Sequence, residues 1–158
     1  MLISTLNEEA ILKRARKVLT LREVGLIAAD VVNEYYGSAS LVMTPVRSAG
    51  LMRRGRPSPR ANLERLREVI TELRGANIAV FNQLLFASVI DAHLAKWRES
   101  EKSHSVGYYE AILHDFYGPI IGTGCIKVLF LLPGWDKSRS CRYVRKGVLD
   151  HKGRVIKL

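Results

Sequence analysis

Cysteine is scarce in this 158-residue chain, which holds only Cys125 and Cys141. Two thiols with no clustered histidine make neither a disulfide scaffold nor a zinc site, so no metal is expected and the pair reads as reduced. Long apolar runs are lacking too. The longest, Val128 to Pro133, falls far short of the roughly 20 residues that a membrane-spanning helix needs. Glu8, Glu9 and Lys13 arrive too early for a secretory leader. The chain therefore reads as a cytoplasmic protein that enters no membrane. No internal repeat or low-complexity stretch interrupts it. What is present, 47% hydrophobic and 25% charged residues, is the composition of one ordinary globular domain with a core of its own.

Acidic residues are also few: 15 against 25 basic ones, a net charge of +10. Residues 1–38 balance at five of each sign, and residues 76–132 carry four basic and five acidic. The excess lies in residues 39–75, with eight basic and three acidic, and in residues 133–158, with eight and two. Charge gathered in two blocks favours an anionic partner such as a nucleotide phosphate, a nucleic acid or an acidic protein surface; a solvated face that confers solubility is the plainer alternative.

Asn7 is a competent N-cap for a helix to Leu19, with apolar positions at Ala10, Ile11, Ala15, Val18 and Leu19. Thr20 and Glu23 form a capping-box pair for a second helix that Gly37 stops. The two helices follow one another too closely, and without a glycine turn, for a helix-turn-helix reader, so a packing role is favoured, and the pair also offers an interface to a second copy. Residues 41–46 read as a strand, and 47–59 as a basic loop rich in glycine and proline. A helix from Pro59 to Gly75 and a strand at Ile78 to Phe81 follow, giving a βαβ unit and hence a parallel sheet. Next come a helix from Leu84 to Trp97, a polar loop, and a helix from Tyr108 to Tyr117 that Gly118-Pro119 should end. Ile126 to Leu132 is an apolar strand that breaks at Pro133-Gly134-Trp135. A helix from Ser138 to Leu149, a Lys152-Gly153 turn and a strand at Arg154 to Leu158 close the chain. Gly122-Thr123-Gly124 lacks the lysine of a phosphate loop and precedes its strand, so no nucleotide cofactor is read from it.

Three pieces occur in order: Met43-Thr44-Pro45 at a strand end, Leu73-Arg74-Gly75 leading to Val80-Phe81-Asn82, and Leu131-Leu132-Pro133-Gly134-Trp135-Asp136-Lys137-Ser138-Arg139. Together they resemble the nucleoside 2-deoxyribosyltransferase-like superfamily, in particular its small uncharacterised phage and proteobacterial branch, over residues 40–158. The resemblance implies a flavodoxin-like doubly wound parallel sheet at 39–158, with residues 1–38 as a helical extension. It also implies a nucleotide or other phosphorylated ribosyl ligand, with cleavage of an N-glycosidic bond as the reaction of the better-known members. That chemistry passes through an oxocarbenium-like transition state and needs a carboxylate against the anomeric carbon. The register of the superfamily's nucleophilic Glu falls on Val144, and that of an Asp before the same strand falls on Lys127, so the usual carboxylates are missing.

Asp136, Asp115 and Glu110 are the substitute candidates. Asp136 follows Trp135 in the loop, where its alternative role is to cap the next helix, as Ser138 also can; Asp115 and Glu110 belong to a helix whose charged face is otherwise simply solvated. His114 beside Asp115 hints at an acid/base pair, but neighbours on a helix face different ways. For binding, Ser138 and Arg139 at a helix start offer N–H groups, a hydroxyl and a guanidinium to a phosphate. Arg47, with Arg53, Arg54 and Arg56, lies in the first loop and can close over the same anion. Trp135 can stack on a base or belong to the core. Thr44 and Asn82 end their strands beside the expected ligand, Asn82 with strand termination as its plainer role. The alternative to a nucleotide site is a non-enzymatic protein whose basic face binds nucleic acid or an acidic partner.

Overall fold

The structure, a computed structural model, describes residues 7–45, 59–100 and 110–158. It is mixed α/β with a three-stranded parallel sheet. The chain groups into two compact units. One is built from residues 38–82 and 126–158, the other from residues 1–37 and 83–125.

The sheet unit holds β1 (Ala39–Met43), α3 (Pro59–Gly75), β2 (Ile126–Leu131), α6 (Arg139–Asp150) and β3 (Arg154–Lys157). β2 lies between β1 and β3, parallel to both, with Leu131 opposite Met43 on one side and Lys157 on the other. Every residue of β1 is buried, as an apolar run in a sheet covered on both faces should be. β2 departs from that expectation at Lys127, which is exposed.

The expected strand at 78–81 is reduced to a single parallel bridge between Ser40 and Val80. The Ser40 N–H donates to the Ala79 carbonyl at 2.7 Å and its carbonyl accepts from Phe81 N–H at 2.9 Å. Both groups of Ser40 are thus used on one side, so this segment lies along the edge of β1 away from β2. The carbonyl of Val80 faces outward, where the Arg74 guanidinium donates to it twice, at 3.2 and 3.0 Å. A cation on the outer edge discourages further strand addition.

α6 buries Cys141, Val144 and Val148, three positions on one side of the helix, and packs them over β2 and β3. Ser138 caps it by accepting from Cys141 N–H at 3.3 Å. The turn into β3 places Lys152 at φ 62°, and Gly153 lies so close to Val148 that a Cβ would sit 2.5 Å from its methyl carbon.

The helical unit begins with α1 (Glu8–Lys17) and α2 (Leu21–Val31). Asn7 Oδ1 accepts from Ala10 N–H at 3.0 Å, and both bonds of the Thr20/Glu23 capping box are formed. Beyond α2 a π turn, Val32–Tyr36, ends at Gly37, which takes φ 61° and returns its N–H to Val32. The unit continues through a 3₁₀ turn at Gln83–Phe86, α4 (Ala87–Ser100), a π turn at Ile112–Tyr117 and the short α5 (Gly118–Gly122).

Here the expectation of a helix stop at Gly118-Pro119 is overturned. The helical path runs on through both residues to Gly122. The π turn explains it: Gly118 N–H bonds five residues back to Leu113, and the widened turn relieves the clash that a proline ring makes in a regular α-helix. α2 packs on this irregular stretch through Gly25, where an added Cβ would lie 2.0 Å from the Asp115 carbonyl oxygen. No helix among the described residues is long and apolar enough to cross a membrane.

Candidate functional site

The carboxyl ends of β1 and β2 lie side by side. Leu132 N–H donates to Met43 O at 3.0 Å beyond the last paired residues, and Gly134 approaches Pro45 so closely that a Cβ would be 3.4 Å from its ring. Gly134 makes the turn at φ 88°, a conformation glycine adopts without strain. A 3₁₀ turn, Trp135–Lys137, follows, and Ser138 N–H closes it on Trp135 O at 3.0 Å. The start of α6 is therefore held directly above the end of β2.

The start of α3 comes to the same edge. Asn62, in its first turns, donates from Nδ2 to the Pro45 carbonyl, tying the helix back to the end of β1. Two helix N-terminal regions thus converge on two adjacent strand ends, which brings two positive backbone dipole ends to one edge of the sheet.

Of the residues singled out in the sequence, Thr44, Asn82, Trp135, Ser138 and Arg139 all belong to this unit. Thr44 and Ser138 are 4% and 8% exposed, two buried hydroxyls at the carboxyl edge of the sheet. Asn82 is half-buried just beyond the Val80 bridge, and Arg139 is exposed in the first turn of α6. Arg47 lies outside the described residues, as does the rest of the basic loop as far as residue 58. Asp136 is exposed in the Trp135 turn, and its side chain does not cap α6; Ser138 does.

Asp115 and Glu110 lie in the helical unit, each within 4.0 Å of a basic side chain there. Asp115 sits 4.0 Å from Arg22 and Glu110 3.4 Å from His114, so the histidine pairs along the helix and not with its neighbour Asp115. Arg22 and His114 also line an open groove of about 380 Å³ with Leu26, Pro119 and Thr123, built from the helical unit alone. Among the described residues no group of three or more His, Cys, Asp or Glu side chains is placed to hold a metal ion.

Val144, where the resemblance puts a nucleophile, is fully buried on the inner side of α6. Its neighbour Cys141 is buried as well, and burial pushes the thiol pKa up, against a smaller lowering by its contact with Ser138. A thiol held protonated is a poor nucleophile. This side of α6 is core.

The sequence reading missed Arg145 and Lys157. The Arg145 guanidinium carbon lies 5.5 Å from the centroid of the Trp135 ring and the Lys157 ammonium 5.1 Å, both within cation–π range. No local pattern connects residues 135, 145 and 157. What joins them is the parallel register that sets Lys157 opposite Leu131, and the Leu158 N–H that donates to Leu131 O at 2.9 Å. No protein-family model, curated protein or solved structure matches the chain.

Proposed function

We propose that the sheet unit binds a nucleotide or a related phosphorylated ribosyl ligand in the crevice at the carboxyl ends of β1 and β2. The observation that carries this reading is the strand order. After β1 the chain pairs residues 79–81 along one edge of that strand, and later adds β2 along the other. Reversal between adjacent parallel strands is the switch point at which doubly wound, flavodoxin-like sheets open a ligand crevice. The buried hydroxyls of Thr44 and Ser138, Asn82 and the Arg139 guanidinium stand at that edge and suit a sugar and a phosphate. The likeness of the Leu-Pro-Gly-Trp-Asp run to the deoxyribosyltransferase-like proteins supports the same ligand class.

Binding is the function proposed, without glycosidic cleavage. A retaining displacement at C1′ needs a carboxylate against the sugar, and position 144 offers a buried valine. Asp136 is the one carboxylate in the turn.

Calorimetric titration with the deoxynucleoside monophosphates and their ribo counterparts, with free base followed by chromatography, tests the reading. Stoichiometric binding without base release is expected. Arg139→Ala should weaken it about tenfold, the loss of one charge-assisted contact. Absence of binding at any accessible concentration overturns the proposal, and base release overturns its non-catalytic part.

A second reading rests on a separate observation. Arg139, Arg142 and Lys146 are all exposed and recur at helical spacing on the side of α6 away from its buried positions. Such a row suits a nucleic-acid backbone, and predicts oligonucleotide affinity that falls steeply with salt.

A further inference from the structure

Trp135, Arg145 and Lys157 form a cluster whose charges are unbalanced. Two cations lie within 5.5 Å of one indole centroid. Neither makes an ion pair among the described residues, and Asp136, next to the ring in sequence, pairs with neither. The Arg145 Nε–H is buried and has no acceptor among the described residues. A buried donor without an acceptor is costly, and neither positive charge has a counter-charge among the described residues. The attraction of each to the ring face offsets part of this and leaves their donors uncommitted.

The elements hold the arrangement firmly. Trp135 is fixed by the turn that Gly134 permits, Arg145 by a helix whose two flanking core positions, Val144 and Val148, are fully buried, and Lys157 by pairing opposite Leu131. The three side chains come from β2's loop, α6 and β3, so the fold itself brings both cations to one ring.

From this geometry we infer that Arg145, Lys157 and the Trp135 ring form a subsite for a phosphoryl group. A tetrahedral dianion accepts from several donors at once. It suits the planar fork of a guanidinium, which binds in bidentate fashion, together with the point charge of an ammonium. The indole provides an apolar wall that orients both cations and excludes water from one side of the anion. The subsite does not depend on the nucleoside reading, since any phosphoryl group satisfies it. A free phosphate, a mononucleotide and a nucleic-acid strand share this chemistry.

The indole N–H resonance of Trp135, told from that of Trp97 by its loss in Trp135→Phe, reports on the subsite. Inorganic phosphate added to the full chain at millimolar concentration should shift it saturably, and chloride at equal ionic strength should not. Lys157→Gln and Arg145→Gln should each weaken the response at least tenfold, while Lys157→Arg retains it and far-ultraviolet circular dichroism shows each variant folded. Mononucleotide and oligonucleotide titrations follow the same resonance. A gain in affinity over phosphate for either identifies the source of the phosphoryl group.

No phosphate-dependent shift in the native protein, or an undiminished shift in the Lys157→Gln, Arg145→Gln double variant, overturns the subsite. Calorimetry separates the two proposals. Mononucleotide binding that survives in the double variant leaves the crevice reading standing, and a phosphate response without nucleotide binding leaves the subsite standing alone.

Discussion

Gly25 shows how one residue decides whether two pieces of backbone can meet. It stands in the middle of α2, where alanine would be the better helix former by about 1 kcal/mol. Its hydrogen faces the Asp115 carbonyl, however, and a Cβ built there meets backbone on three counts, at 2.0, 2.9 and 3.0 Å. Backbone cannot rotate aside as a side-chain end can. Gly25→Ala should therefore lower the unfolding free energy despite the propensity gain, by a net of about 1–3 kcal/mol in a denaturant titration. An equal or raised stability would show that α2 does not pack at that distance. Arg145 teaches the complementary lesson, since a basic residue on a basic helix looks ordinary until the ring beneath it is seen.

At the scale of the element, the helix starts were the most legible features. Asn7, Thr20 with Glu23, and Ser138 each make the capping bond that their side-chain chemistry implies, because a cap is satisfied within three or four residues. The Glu23 carboxylate accepts from Thr20 and Leu19 N–H, and these bonds hold its pKa below the usual carboxylate value. The helix stop at Gly118-Pro119 was misread for the opposite reason. A π turn is a tertiary accommodation with no sequence sign of its own.

α4 carries an acid-sensitive group. His93 is held below its ordinary value of 6.5, first by burial and then by Lys96, with Glu23 acting weakly the other way. The unfolded chain therefore takes up a proton that the folded one resists, so stability falls as pH drops below about 6.5 and continues to fall toward the lowered folded value. The melting temperature should decline between neutral pH and pH 5, and His93→Gln should make that decline shallower. Parallel slopes for the two proteins would remove His93 from the acid response.

At the scale of the whole molecule the chain is interleaved. It passes between the two units near residues 37, 82 and 125, so neither unit is a continuous stretch of sequence. The apolar faces of α1 and α2, which suggested an interface for a second copy, bury Ile11, Ala15, Val24, Ile27, Ala28 and Val31 within the helical unit. Leu19 and Leu26 remain the large apolar side chains exposed there among the described residues. Removing residues 1–38 should therefore strip the helical unit of half its core. The shortened chain should lose more helical circular-dichroism signal than the deleted residues account for and should bind a hydrophobic dye. A proportionate loss of signal, with no dye binding, would show that residues 83–125 fold without α1 and α2.

The sequence by itself determined the strands and helices of the sheet unit apart from residues 78–81, its parallel direction, the caps and the Gly134 turn. Each of these follows from hydrophobic period or from chemistry within a few residues. Only the tertiary structure decided that residues 83–125 group with the first 37, and that Lys157 and Arg145 each come within cation–π range of Trp135. Those outcomes depend on strand register and on packing between segments tens of residues apart, and no local pattern of residues carries that information.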